Sequence, residues 1–261
     1  MTNKTTTCSI IKTTGFQAET TEDVVVRETS ITLYYNQVEI ATLLCSPSDI
    51  EELALGFFLT EGFIESRDDL YTLRYVRASN IIWAEGRTLP DPTGHRFLSA
   101  CCGKSRASFA FANDARLAKP QASQVRLSLE EAYTYADYLQ THLPLFQATG
   151  GIHSGGIAHQ GEILFTSDDI GRHNVFDKLF GKAFRAGIDL SDHIIFFSGR
   201  VSSEILLKVA KMNIPVLIAR SAPTDLALTL ARNLNITVAG FARNNRLNIY
   251  TCSERLLIPG S

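Results

Sequence analysis

From Ile194 onward the chain alternates short apolar runs with segments of helical period, and no other feature restricts its fold as much. Ile194 to Phe197 reads as a strand, Ser202 to Met212 as a helix, and Val216 to Ala219 as a strand. Thr224 then opens a helix that runs through Asn233, and Thr237 to Phe241 and Leu247 to Tyr250 follow as strands. Apolar runs of four residues joined by helical segments form a βαβ series. The expected class is α/β, with a largely parallel sheet carrying helices on its faces.

Ahead of this series, Thr149 to Lys178 concentrates glycine, histidine and acid. Glycine lets a backbone come close to a ligand. His153 is flanked by Gly150, Gly151, Gly155 and Gly156, so it is either a structural histidine or a group for proton transfer or cofactor contact. Asp168 and Asp169 suit a helix cap. Arg172 and His173 on the first turn beyond Gly171 would lie beside amides disposed to hold an anion. The helix that follows should bury Val175, Phe176, Leu179, Phe180 and Ala183, leaving Asp177 and Lys178 on a solvated face as ordinary ion pairs.

Two more strand-to-helix turns carry hydroxyls and one arginine each: Ser198-Gly199-Arg200 and Arg220-Ser221-Ala222-Pro223-Thr224. Serine and threonine at helix starts are usually caps. Taken together, though, the turns offer two arginines and two helix N-termini at the carboxyl ends of strands, where α/β sheets bind phosphates. Phe241-Ala242-Arg243-Asn244-Asn245-Arg246 is a basic turn between two strands, either an exposed hairpin tip or a third arginine-bearing loop around a multiply phosphorylated ligand. The net charge is −2 and the pI about 6.3, so no overall basic field recruits nucleic acid or an anionic membrane, and any phosphate recognition is local.

The amino-terminal half reads as a smaller mixed α+β region. Residues 1 to 20 are Thr-rich and expected as a loose arm, followed by strands at Val24 to Arg27, Ile31 to Tyr35 and Val38 to Leu44 with a turn at Asn36-Gln37. Ser48 with Glu51 suggests a capping box for a helix from Asp49 to Glu61, whose apolar face is Ile50, Leu53, Ala54, Phe57 and Phe58. Leu70 to Ala78 and Ile81 to Ala84 are further strands, and Gly86 to Arg96 is a loop. Ser128 with Glu131 marks a second capping box and a helix to His142. The expected division is residues 1–127 for the mixed region and 128–261 for the α/β domain. The N-terminus lacks a signal peptide's apolar core and the apolar runs are far short of a membrane span, so a cytoplasmic protein is expected.

Cysteines at 8, 45, 101, 102 and 252 are too sparse for a disulfide framework, and no Cys-x-x-Cys stands at zinc spacing, so no metal site is expected. Cys101-Cys102 is followed by Gly103, Lys104, Ser105 and Arg106. Nearby positive charge lowers a thiol pKa and favours a nucleophilic thiolate. The alternative is a pair of small buried hydrophobes.

The chain resembles the formate dehydrogenase accessory sulfurtransferase family, FdhD. The likeness runs through Pro47 to Gly62, Cys101-Cys102-Gly103-Lys104, GGIH, DDIGRHNVFDK, SGRVSSE, RSAPT and GFARNNR. It implies a cytidine-deaminase-like α/β domain, a homodimer, and a persulfide accepted from a cysteine desulfurase. The sulfur then passes to the molybdenum bis-guanine-dinucleotide cofactor before that cofactor enters the formate dehydrogenase catalytic subunit. Cys101 and Cys102 are the implied catalytic pair. Phe241 to Arg246, Arg200, Ser221, Arg172, His173 and His153 are the implied cofactor-binding residues. Many members carry Ser-Ser-Cys-x-x-Cys-Gly, whereas Ser99-Ala100-Cys101-Cys102-Gly103 has no spacer. The left flank aligns Cys101 with the first family cysteine and the right flank aligns Cys102 with the second; Cys101 is the favoured carrier, with Cys102 assisting or carrying in its place. A zinc nucleobase deaminase would need H-x-E and P-C-x-x-C, and neither is present. A non-catalytic chaperone that delivers the cofactor is the other alternative.

Overall fold

A computed structural model of the chain describes residues 4–87, 119–142 and 144–259. Its first element corrects the expected loose arm. β1 (Thr5–Thr14) and β2 (Gln17–Val26) pair antiparallel along their full length, turning at Gly15, whose φ of 61° is left-handed. Polar composition alone suggested disorder, but threonine is β-branched and favours a pleated strand. The root of this hairpin is tied to the rest of the chain by Lys4, which pairs with Asp168 at 2.9 Å.

β3 (Thr29–Tyr35), β4 (Val38–Cys45), β5 (Leu70–Val76) and β6 (Ile81–Gly86) form a four-stranded sheet in the order β4-β3-β6-β5, with β3 and β6 parallel. Asn36 and Gln37 make the turn between β3 and β4 with φ of 48° and 68°, the mirror-image turn that matches strand twist. α1 (Ile50–Thr60) packs on this sheet through Leu53, Ala54, Phe57 and Phe58. Its start differs from the expected capping box. Asp49 is the N-cap, in the left-handed conformation with φ 51° and no side-chain cap bond, and its carboxylate pairs with Lys182 at 2.8 Å. Ser48 Oγ instead accepts from Lys178 Nζ at 3.5 Å. A tertiary cation at each residue outweighs the local motif.

The second half begins with β7 (Leu127–Ser128) and α2 (Leu129–Thr141), whose capping box is present as expected: Ser128 Oγ accepts from Glu131 N at 3.1 Å and Glu131 Oε2 accepts from Ser128 N at 2.9 Å. α3 (Pro144–Thr149), β8 (His153–His159), β9 (Glu162–Asp169) and α4 (Arg172–Ala186) follow. Then come β10 (Ile194–Phe197), α5 (Ser203–Lys211), β11 (Val216–Ala219), α6 (Asp225–Asn233), β12 (Thr237–Arg243), β13 (Arg246–Thr251) and β14 (Leu256–Leu257). Six strands make the central sheet, in the order β13-β12-β11-β10-β8-β9.

This sheet is parallel only at its centre, where β10, β11 and β12 run together; β8, β9 and β13 are added antiparallel. The reason is connection length. Gln160-Gly161 and Asn244-Asn245 are two-residue links with positive φ, and so short a link can join only antiparallel neighbours. Side chains alternate across the sheet: Ile195 and Phe197 face α4 and α5, while Ile194 and Phe196 face α2. Among the described residues no helix is long and apolar enough to cross a membrane.

The two halves meet along α1 and α4. A Cβ on Gly56 would run into the Asp177 carbonyl, and one on Gly181 into the Glu52 carbonyl, so the helices touch backbone to backbone. That contact corrects the expected solvated face of α4. Asp177 is 2% and Lys178 0% exposed, because α1 covers them. Asp177 Oδ1 accepts from Thr60 Oγ1 at 2.8 Å and pairs with Lys208 at 2.5 Å. Lys178 pairs with Asp169 at 2.6 Å.

Candidate functional site

At the carboxyl ends of β10 and β11 the chain turns into α5 and α6, capped by Ser202 and Thr224. β8 runs antiparallel to β10, so its first residues reach the same edge. Ser198 N donates to the Ser154 carbonyl at 2.9 Å, and Ser154 N donates to Ser198 Oγ at 2.9 Å. Gln140 at the end of α2, with Phe146 and Gln147 on α3, overhangs this edge. The result is a cleft of about 900 Å³, the size of a pocket for a nucleotide-sized ligand.

Arginine sets the charge of this cleft. Arg220 N donates to the Phe197 carbonyl at 2.9 Å, which fixes the residue at the strand end, and its Nη2 donates to Gln140 Oε1 at 2.9 Å. The Gln140 carbonyl in turn accepts from Gln147 Nε2. Arg243 enters from the β12 end. No aspartate or glutamate lines the cleft among the described residues, and neither arginine is in an ion pair there. Such a wall favours an anionic ligand.

His153 borders the cleft, its ring 6.0 Å from that of Phe197. Burial, then the positive field of Arg172, lowers its pKa; His173 and Arg200 act the same way and Asp169 opposes them. The imidazole is therefore neutral at pH 7 and able to accept a proton. His173 Nε2 lies 3.0 Å from Glu204 Oε2, bridging the first turns of α4 and α5.

The first turn of α4 is held from beneath. Asp169 Oδ1 accepts from Gly171 N at 2.8 Å and Asn174 Nδ2 at 2.7 Å, and its Oδ2 accepts from Ser46 N at 3.0 Å. Asn174 Nδ2 also donates to the Leu44 carbonyl at 2.8 Å. With Lys178 the carboxylate is thus satisfied on all sides, and Arg172 and His173 are placed relative to the end of β4.

His153, Ser221 and Arg243 come together in the cleft, with Arg172, His173 and Arg200 grouped around His153. The rest of the basic turn is spread out. Phe241 is exposed at a φ of 55°, Ala242 is buried in the core, and Asn244, Asn245 and Arg246 are exposed at the β12–β13 hairpin. Asn245 borders a separate depression with Tyr133 and Asp137 of α2. Cys101 and Cys102, with Lys104 and Arg106, lie outside the described residues. Sequence reasoning missed Gln140, Phe146 and Gln147, which carry no motif. It also passed over Ser154, which lies inside the Gly-rich stretch and could have been suspected.

Residues 26–257 match the sequence model of the FdhD/NarQ family. The chain belongs to that family. It is 41% identical over 259 residues to the sulfur carrier protein FdhD of Halalkalibacterium halodurans, covering 97% of this chain and 96% of that one. It is 40% identical over 255 residues to the sulfur carrier protein FdhD of Staphylococcus haemolyticus, covering 95% of each. A crystal structure of a proposed formate dehydrogenase accessory protein from Desulfotalea psychrophila superposes with a TM-score of 0.80 over 98% of this chain and 100% of that one. Its sequence identity is 22%, so this likeness establishes the shared mixed α/β fold.

Proposed function

We propose that this protein is a cytoplasmic, homodimeric sulfur carrier for formate dehydrogenase, with a cytidine-deaminase-like α/β domain. It takes persulfide sulfur from a cysteine desulfurase and passes it to the molybdenum bis-guanine-dinucleotide cofactor, here a substrate, before the cofactor enters the formate dehydrogenase catalytic subunit. The observation that carries this reading is the cleft at the β10–β11 strand ends, whose only formal charges among the described residues are Arg220 and Arg243. A ligand bearing phosphates supplies the missing negative charge, and unpaired guanidinium groups suit phosphate oxygens. The names of the relatives, sulfur carrier proteins, agree with it.

In the loading step the Cys101 thiolate attacks the outer sulfur of the desulfurase persulfide. The S–S bond of the donor breaks, the donor leaves as a thiolate, and Cys101 carries the persulfide, with Cys102 assisting. Neutral His153 is suited to hold a proton beside the bound substrate, while Arg172, His173, Arg200 and Ser221 surround it. Mass spectrometry after incubation with a cysteine desulfurase and cysteine tests the step. One added sulfur on the Cys101–Arg106 peptide is expected, and its absence from intact protein overturns the reading.

Among the described residues no cysteine lines the cleft, and the cleft also fits a non-catalytic chaperone that binds and delivers the cofactor. A Cys101→Ala/Cys102→Ala variant separates the two. Loss of formate dehydrogenase activation supports transfer; retained activation supports delivery alone.

A further inference from the structure

One buried hydroxyl on the cleft wall has no partner among the described residues. Ser154 is 1% exposed, and among the described residues its Oγ has no hydrogen-bond partner, although the residue lines the cleft. Its backbone is fixed on both sides by Ser198, N to Oγ and carbonyl to N, each at 2.9 Å. The main chain at this residue is therefore held in place at the edge of the cleft. A buried hydroxyl left without a partner is costly, and folded proteins rarely keep one unless water, an ion or a ligand completes it; Ser154, unlike the equally unpartnered Ser167, stands on the wall of the cleft.

Arg220 points to the kind of ligand. Its partner in the protein is the side-chain amide oxygen of Gln140, at 2.9 Å. A neutral acceptor fixes the guanidinium in direction without cancelling its charge, where a carboxylate would do both. A guanidinium has five N–H donors, so some remain for a ligand. An oriented, uncancelled cation and an unpartnered hydroxyl on the wall of one cleft suit a phosphate group, whose oxygens accept from both.

We infer that Ser154 and Arg220 form the phosphate-recognition subsite of the cleft, with Gln140 as the positioning residue that aims Arg220. The inference rests on the reading of the cleft as a nucleotide site and assigns the end that reads phosphate. Ser154 binds ligand; Gln140 acts through Arg220.

Calorimetric titration of the full-length protein with GDP, guanosine and inorganic pyrophosphate tests this, together with thermal unfolding without ligand. Ser154→Ala should weaken GDP about fivefold, the effect of one neutral hydrogen bond, and leave guanosine unchanged. Its unfolding midpoint should not fall, because the variant removes a group that was unsatisfied. Gln140→Glu should weaken GDP about tenfold or more, and the loss should shrink at high salt, because the new carboxylate neutralises Arg220. Unchanged GDP affinity in both variants, or equal losses for GDP and guanosine, overturns the inference. A lower midpoint for Ser154→Ala marks the hydroxyl as structural and also overturns it. If the wild-type protein binds none of the three probes, the nucleotide reading itself falls.

Discussion

Replacing Lys178 by methionine keeps the length of the side chain and removes the cation from a carboxylate buried away from the surface. Lys178 and Asp169 lie 2.6 Å apart, and both side chains are 0% exposed. Breaking a buried pair from one side costs about 3–5 kcal/mol. Asp169 would keep three donors, from Ser46 N, Gly171 N and Asn174 Nδ2, so Lys178→Met belongs at the low end, about 3 kcal/mol. Asp169→Asn strands the ammonium with the Asp168 carbonyl at 3.1 Å and Ser48 Oγ at 3.5 Å, which places it near the upper end, about 5 kcal/mol. The double variant leaves neither charge unpaired and should cost well under the sum, a coupling of about 3 kcal/mol. Urea unfolding at pH 7 is the assay. The single tryptophan, Trp83, stacks on Tyr34 at 4.2 Å and reports the amino-terminal sheet that the pair helps to dock. With an m-value of about 3 kcal/mol/M, Lys178→Met should move the midpoint down by about 1 M. Additive single and double costs, within about 0.5 kcal/mol, would refute the pairing.

Gly181→Ala should destabilise by about 3 kcal/mol in thermal unfolding, since its Cβ meets the Glu52 backbone; an unchanged midpoint would contradict the α1–α4 contact. Burial, then the Asp169 charge, pushes the Cys45 thiol up to about 12. Iodoacetamide at pH 8 should spare Cys45 in the native protein and label it in urea, and native labelling would count against the buried site. His153 has its pKa depressed by burial and by Arg172, so folding favours its neutral form. Its contribution is present above the unfolded value of about 6.5 and is lost as pH falls through the lower folded value. His153→Asn should therefore lose less stability than the wild type from pH 7 down to 5, measured by urea unfolding; parallel pH profiles would exclude this.

Local chemistry was legible in the chain. The Val216–Ala219 strand, the capping box of Ser128 and Glu131, and the Asn36-Gln37 turn depend on neighbours a few residues away, and each has the expected form. Motif order points to the family, and its motifs hold His153, Ser221 and Arg243, which the fold brings to one cleft. Tertiary contacts made the remaining decisions. Ser48 lost its capping role because Lys178 reaches it, and Asp177 and Lys178 left the surface because two glycines let α1 lie against α4. The arginine-bearing wall of the cleft needs Gln140 beside Arg220, residues eighty positions apart with no shared pattern. Periodicity and caps act over one or two helical turns, so they survive in a linear reading. Burial of charge and the joining of distant polar groups arise only when the sheet brings its strand ends together.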